Sequence, residues 1–174
     1  MFDLVRLIYT SRANFEVSED SPDIEPEVAE ILKEARTFNR EANISGVLFF
    51  ANGHFFQCLE GRSKKVLALV KKIEKDPRHS DLKVSFCRRA RRRKFKNWTM
   101  KYVPVDEVVQ EFVVANGYDR FDPTHFTETD INRLVELFTK VSDTSLVHSE
   151  LRQSHQSKPS FWQKLFTTNH LRTV

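Results

Sequence analysis

Cysteine is scarce in this chain, with only Cys58 and Cys87 among 174 residues. Neither has a partner at metal-ligand spacing, which excludes a disulfide framework and a cysteine-based zinc site; both lie in apolar, strand-like runs and read as buried thiols. Long apolar runs are missing as well. Nothing approaches the roughly 20 residues that a membrane span needs, so no membrane association is expected. The start, Met1-Phe-Asp-Leu4, lacks the basic stretch followed by an apolar one that marks a secretory leader, and the cytoplasm is the expected location. Internal repeats and low-complexity tracts are absent. No nucleophile stands at a workable spacing from a base, and no cluster of metal ligands occurs, so the chain is not expected to be an enzyme and holds no expected metal.

What is present describes a folded domain. Hydrophobic residues make up 40%, enough to exclude disorder as a whole-chain description, and the aromatic content is dominated by 15 phenylalanines. The length suits one domain with an extension. The net charge of +4 is concentrated in Arg88-Arg-Ala-Arg-Arg-Arg-Lys94. Such a tract can neutralise phosphates, which keeps a ferredoxin-like nucleic-acid-binding module as the alternative function. The tract has no interleaved aromatic platform for stacking bases, and its position between two strand-like runs favours a solvated hairpin tip, with nucleic acid an unfavoured partner.

Periodicity gives the order of elements. Residues 2–10 alternate apolar and polar as a strand does, and 11–23 read as a loop. Pro26 opens a helix with Val28, Ile31, Leu32, Ala35, Phe38 and Ala42 on one stripe, closed by Asn43 and Gly46. An apolar strand over 46–51 follows, and Asn52-Gly53 signals a tight hairpin into the strand 54–60. Ser63 is the expected cap of a second helix bearing Val66, Leu67, Val70 and Ile73, which Asp76-Pro77 stops. Strands are expected over 82–88 and 94–103. The order β-α-β-β-α-β-β predicts an α+β, ferredoxin-like split βαβ sheet with two helices on one face and an added strand.

Three segments divide the chain: a domain over 1–104, a C-terminal helical cap over 105–143, and a tail over 144–174. Thr127 and Asp130 form a capping-box-like start to a helix with Ile131, Leu134, Leu137, Phe138 and Val141. In the tail, Phe161, Trp162, Leu165 and Phe166 share one face of a short helix opened by Pro159.

Gln57 is the out-of-place residue, an amide at the centre of the apolar run Gly53-His-Phe-Phe-Gln-Cys-Leu-Glu-Gly61. A buried amide left unpaired costs about 1–3 kcal/mol, so a neighbouring element or a ligand must match it. Tyr9, near the end of the first strand, and Asn39, on the helix stripe, bring two more polar groups to the place where helices meet sheet. A flat heteroaromatic ring with an imide edge would satisfy Asn39 and Gln57, with Ile31, Ile73 and Phe55 covering its faces. Lys72, Asp76, Arg78 and His79 would meet a ribityl-phosphate tail, Arg and His as anion ligands and Asp as a hydroxyl acceptor.

Six stretches in order carry a family resemblance: Leu7-Ile-Tyr-Thr-Ser11, Asn39, Ile44-Ser-Gly-Val-Leu48, Phe56-Gln-Cys-Leu-Glu-Gly61, Asp76-Pro-Arg-His79 and Phe95-Lys-Asn-Trp-Thr-Met100. Over about its first hundred residues the chain resembles the BLUF domain, the blue-light sensor using FAD. The resemblance implies non-covalent FAD, with FMN or riboflavin as substitutes, and cofactor contacts from Tyr9, Ile31, Phe38, Asn39, Phe55, Gln57, Leu59, Lys72, Ile73, Asp76, Arg78 and His79. It implies that Tyr9 passes an electron and a proton to the excited flavin, that Gln57 then rotates or tautomerises, and that a new hydrogen bond shifts absorption to the red. Asn39 would hold the carbonyl edge of the ring. Trp98 and Met100, placed on the last strand, would relay the change, with either one facing the flavin. Phe38 stands where the family often has His or Asn, and would pack on the ring instead. The implied output is a light-dependent contact with a downstream regulatory protein, together with self-association through the C-terminal helices.

Overall fold

The computed structural model describes residues 3–17, 24–103 and 107–141. Five strands form one mixed sheet in the order β4-β1-β3-β2-β5: β1 (Leu4–Ala13), β2 (Ser45–Ala51), β3 (His54–Arg62), β4 (His79–Arg89) and β5 (Lys101–Val103). The helices are α1 (Pro26–Ala42), α2 (Ser63–Ile73), α3 (Glu107–Ala115) and α4 (Glu128–Lys140). β3 is central and antiparallel to β1 and β2, while β5 joins β2 in parallel. This is the α+β, ferredoxin-like order read from the sequence.

Local chemistry sets the boundaries. Pro26 supplies a preset φ in the first turn of α1, and Asn43 ends that helix in the left-handed region at φ 54°. The hairpin turn places Asn52 at φ 51° and Gly53 at φ 71°, the pair of positive angles that suits the strand twist. Gly46 is required for another reason: a Cβ there would lie 2.1 Å from the Cys58 carbonyl oxygen. Thr127 and Asp130 close a full capping box at the start of α4, as their spacing predicts.

Alternation along the strands divides the core in two. Val5, Leu7, Tyr9, Leu48, Phe55 and Leu59 face α1 and α2, and Ile8, Val47, Phe49, Phe56, Cys58 and Val103 face α3 and α4. Every residue of β2 is buried, because both faces of that strand are covered. Phe138 of α4 stacks on Phe49 at 5.2 Å between ring centroids, and each fully buried phenylalanine contributes about 1.5–3 kcal/mol.

Several expectations change. β1 runs three residues beyond Thr10, so Tyr9 lies inside the strand, beside a slip in the β1–β4 register between Ile8 and Tyr9. Ser63 makes no capping bond; it is the first residue of α2, behind Arg62. Leu69, not Leu67, completes the buried stripe of α2, and Leu67 is 44% exposed. Cys58 is buried as expected, whereas Cys87 is exposed on the edge strand β4. The expected strand over 94–103 reduces to β5, and residues 95–100 run as turns, so Trp98 and Met100 precede the strand. Because β4 and β5 lie on opposite edges of the sheet, the basic tract is part of a crossing segment and not a hairpin tip. α3, absent from the sequence reading, carries Val109 and Val113 into the second core. The tail with Phe161, Trp162, Leu165 and Phe166 falls outside the described residues.

Candidate functional site

Tyr9 and Gln57 are direct cross-strand partners in the β1–β3 ladder, so their side chains leave the sheet on the same face. The Tyr9 hydroxyl donates to Gln57 Oε1, and Gln57 Nε2 reaches Met100 Sδ at 3.5 Å, a weak acceptor. Both residues are almost wholly buried, at 1% and 3% exposed. Burial pushes the Tyr9 phenol far above its ordinary range, aided by the Asp76 charge, so the hydroxyl keeps its proton.

Above this pair, a narrow cleft opens between α1, α2 and the sheet. Tyr9, Asn39 and Gln57 give it polar groups, while Ile31, Phe38, Leu69 and Ile73 give it apolar walls. Ala35, Asp76 and His79 also line it. Asn39 is fully buried; its Nδ2 donates to the Thr99 carbonyl at 2.8 Å, and its Oδ1 has no partner among the described residues. An acceptor held this way beside an apolar slot fits the N–H of an imide edge, and Gln57 supplies a second amide at the other polar wall. The residues present therefore fit an isoalloxazine ring.

The remaining expected contacts divide. Phe55 and Leu59 are buried in the same core without lining the cleft, and Lys72 places its ammonium 4.8 Å over the Phe38 ring. Arg78 is drawn into carboxylates, with Nη2 at 2.7 Å from Asp76 Oδ2 and 2.6 Å from Glu34 Oε2. Although burial alone lowers it, these partners carry its guanidinium above the ordinary value. His79 meets Ser11 Oγ at 2.9 Å and packs against Phe55 at 4.5 Å between ring centroids. Burial brings its pKa down to about 4, against the Asp76 charge and with the Arg78 charge, so at neutral pH it offers a neutral imidazole.

Trp98 and Met100 separate across the sheet. Met100 is buried in the core of Tyr9 and Leu48, against Gln57, and Trp98 packs on the opposite core beneath α4. Three successive carbonyls fix this segment: Trp98 accepts from Gly46 N at 3.2 Å, Thr99 from Asn39 and Met100 from Arg36 Nε at 2.9 Å. Glu60, fully buried, anchors its start by accepting from the backbone N–H groups of Lys94 and Phe95 at 2.9 Å each while pairing with Arg6. Sequence reasoning missed Arg36 and Glu60, because a polar side chain that serves a distant loop leaves no periodic signal.

A family model described as sensors of blue-light using FAD matches residues 4–101. The chain belongs to the BLUF family. A BLUF domain is a flavin-using blue-light sensor, and the match covers the whole cleft and the Trp98–Met100 segment. Among solved structures, BlsA in its photo-activated state is 33% identical with a TM-score of 0.73, covering 81% of this chain and 98% of that one. BlrB, described as a BLUF protein in its dark state, is 25% identical with a TM-score of 0.62 over 80% of this chain and 97% of that one. The blue light- and temperature-regulated antirepressor BluF of Escherichia coli is 30% identical over 127 residues, 70% of this chain and 30% of that protein. The photoactivated adenylate cyclase subunit beta of Euglena longa is 32% identical over 61% of this chain and 12% of that protein. This chain thus spans less than a third of those two curated relatives.

The basic tract of this BLUF chain serves its own fold. Arg88 makes a two-pronged pair with Glu128 at 2.5 and 2.7 Å, Lys94 pairs with Glu136, and Arg93 donates to the Asn43 carbonyl at 2.7 Å. Two of these contacts dock α4, and the nucleic-acid alternative loses its main support.

Proposed function

We propose that the cleft between α1, α2 and the sheet holds FAD non-covalently and that Tyr9, Gln57 and Asn39 form the light-responsive hydrogen-bond switch of this BLUF sensor. The single observation carrying it is the buried trio: a Tyr9–Gln57 bond beside an Asn39 oxygen without a partner among the described residues. FAD, when bound, supplies blue absorption and, once excited, a strong electron acceptor. Tyr9 holds a transferable proton and an oxidisable ring; it would give up one electron and one proton and would return to its starting state by taking both back. Gln57 is bistable, since turning its amide over exchanges an acceptor for a donor in front of Tyr9 and alters what it presents to the ring and to Met100. Asn39 fixes the edge of the ring and, through Thr99, the segment that carries Met100.

Output is read as a light-dependent contact with a regulatory protein, the kind of role that the antirepressor's name suggests, with residues 105–143 as the responding cap and self-association through the same region. No enzymatic step is assigned to the chain. A cytoplasmic location is proposed, and no helix among the described residues is long and apolar enough to cross a membrane. The test is the visible spectrum of the purified chain in the dark and under blue light. Flavin bands that move reversibly to longer wavelength support the reading, and a protein that binds no added FAD overturns it.

A further inference from the structure

Lys101 is the one lysine on β5, and its side chain is fully buried. Met100 and Lys101 are neighbours whose side chains leave the backbone on opposite sides, Met100 toward Gln57 and Lys101 into the core under α4. There its Nζ donates to the Phe138 carbonyl at 2.7 Å and lies 4.6 Å from the centroid of the Trp98 ring. Phe138 is in the last turn of α4, where carbonyls run out of helical N–H partners, and the lysine supplies a donor there. A cation at a helix C-terminus also meets the negative end of its dipole.

The same two residues thus join the cleft to the far face. The carbonyls of Trp98, Thr99 and Met100 are tied to β2 and α1, and the next side chain along is tied to α4. The contacts of Lys101 are directional. An ammonium that donates to the Phe138 carbonyl and lies over the Trp98 ring ties the movement of one to the other.

We propose that Lys101 is the positioning residue through which displacement of the Trp98–Met100 segment reaches the last turn of α4. The assignment rests on the flavin-switch reading above and names where its signal crosses the sheet. When Gln57 changes its bond to Met100, the segment shifts, Lys101 leaves the Phe138 carbonyl, and the end of α4 loosens. Helix α4 is also held at its start by Arg88, further along by Lys94 at Glu136, and by the buried stripe Ile131, Leu134, Val135 and Phe138, so what Lys101 releases is the backbone of the last turn.

The test uses the flavin-loaded full chain, with amide hydrogen exchange measured in the dark and under blue light. In the wild type, amides 134–140 are expected to exchange several-fold faster in light. Lys101→Met, which keeps the bulk and removes the donor, is expected to retain the red shift of the flavin and lose that light–dark difference. A second measurement needs no variant: acylation of the Lys101 amine in the wild-type chain should be several-fold faster in light than in the dark. A light–dark difference of wild-type size in Lys101→Met, or equal acylation in both states, overturns the assignment. Loss of the red shift in the wild type itself overturns the flavin switch and the role of Lys101 with it; a retained shift with an unresponsive α4 overturns the lysine alone.

Discussion

Replacing Asn39 by leucine separates a residue kept for the fold from one kept for the ligand. Its amide does two things: Nδ2 donates to Thr99, and Oδ1 stands buried with no partner among the described residues. Losing the donated bond costs about 0.5–1.5 kcal/mol, and removing an unsatisfied buried acceptor returns about 1–3 kcal/mol. Leucine has the same branched shape and is the larger, so no cavity is left, and the added bulk can extend into the adjoining cleft. The flavin-free variant should therefore match the wild type within about 1 kcal/mol or be more stable. Flavin affinity should move the other way. An imide N–H that finds no acceptor in the cleft loses about 1–3 kcal/mol, or roughly 5- to 150-fold in Kd. Urea unfolding of the flavin-stripped chains gives the first quantity, and titration of FAD by quenching of flavin fluorescence gives the second. A variant that loses more than about 3 kcal/mol of stability while binding FAD as tightly as the wild type would refute the reasoning, because the amide would then be structural.

Two further outcomes follow from the same geometry. Glu60→Ala removes a fully buried carboxylate that pairs with Arg6 and holds the N–H groups of Lys94 and Phe95, and should cost about 3–5 kcal/mol in urea unfolding; a loss under about 1 kcal/mol would show that the crossing segment is held elsewhere. His79 sets a pH dependence. Its folded pKa of about 4 lies below its ordinary 6.5, so the unfolded chain binds the extra proton between those values. Its contribution is complete above pH 6.5 and is lost as pH falls through about 4, for a total on the order of 3 kcal/mol that His79→Gln should abolish. A denaturant midpoint with the same acid slope in that variant would assign the slope to another group.

Features with local causes were legible in the sequence. Asn52-Gly53 fixes the hairpin because both residues accept positive φ, and Thr127 with Asp130 marks the start of α4 because a capping box needs only three-residue spacing. Tyr9, Asn39 and Gln57 could be named because polar groups inside apolar periodic runs stand out, and the structure brings all three to one cleft. The segment ahead of β5 was not legible. Trp98 and Met100 share the alternation of a strand, yet in a regular strand residues two apart lie on one face. Their division between the two cores requires the irregular turns over 95–100, and those are held by Glu60, Asn39 and Arg36 from distant parts of the chain. The same limit explains the basic tract. Its charge was plain, but the acidic partners that absorb it, Glu128 and Glu136, lie some 40 residues further along and meet it only in the fold.

The most direct test of the central claim is the light-minus-dark absorption spectrum of the flavin-loaded chain beside that of Gln57→Leu. The account predicts a reversible shift to longer wavelength in the wild type and bound flavin with no such shift in the variant. A variant that keeps the full reversible shift would contradict it, since the amide bonded to Tyr9 could not then be the switch.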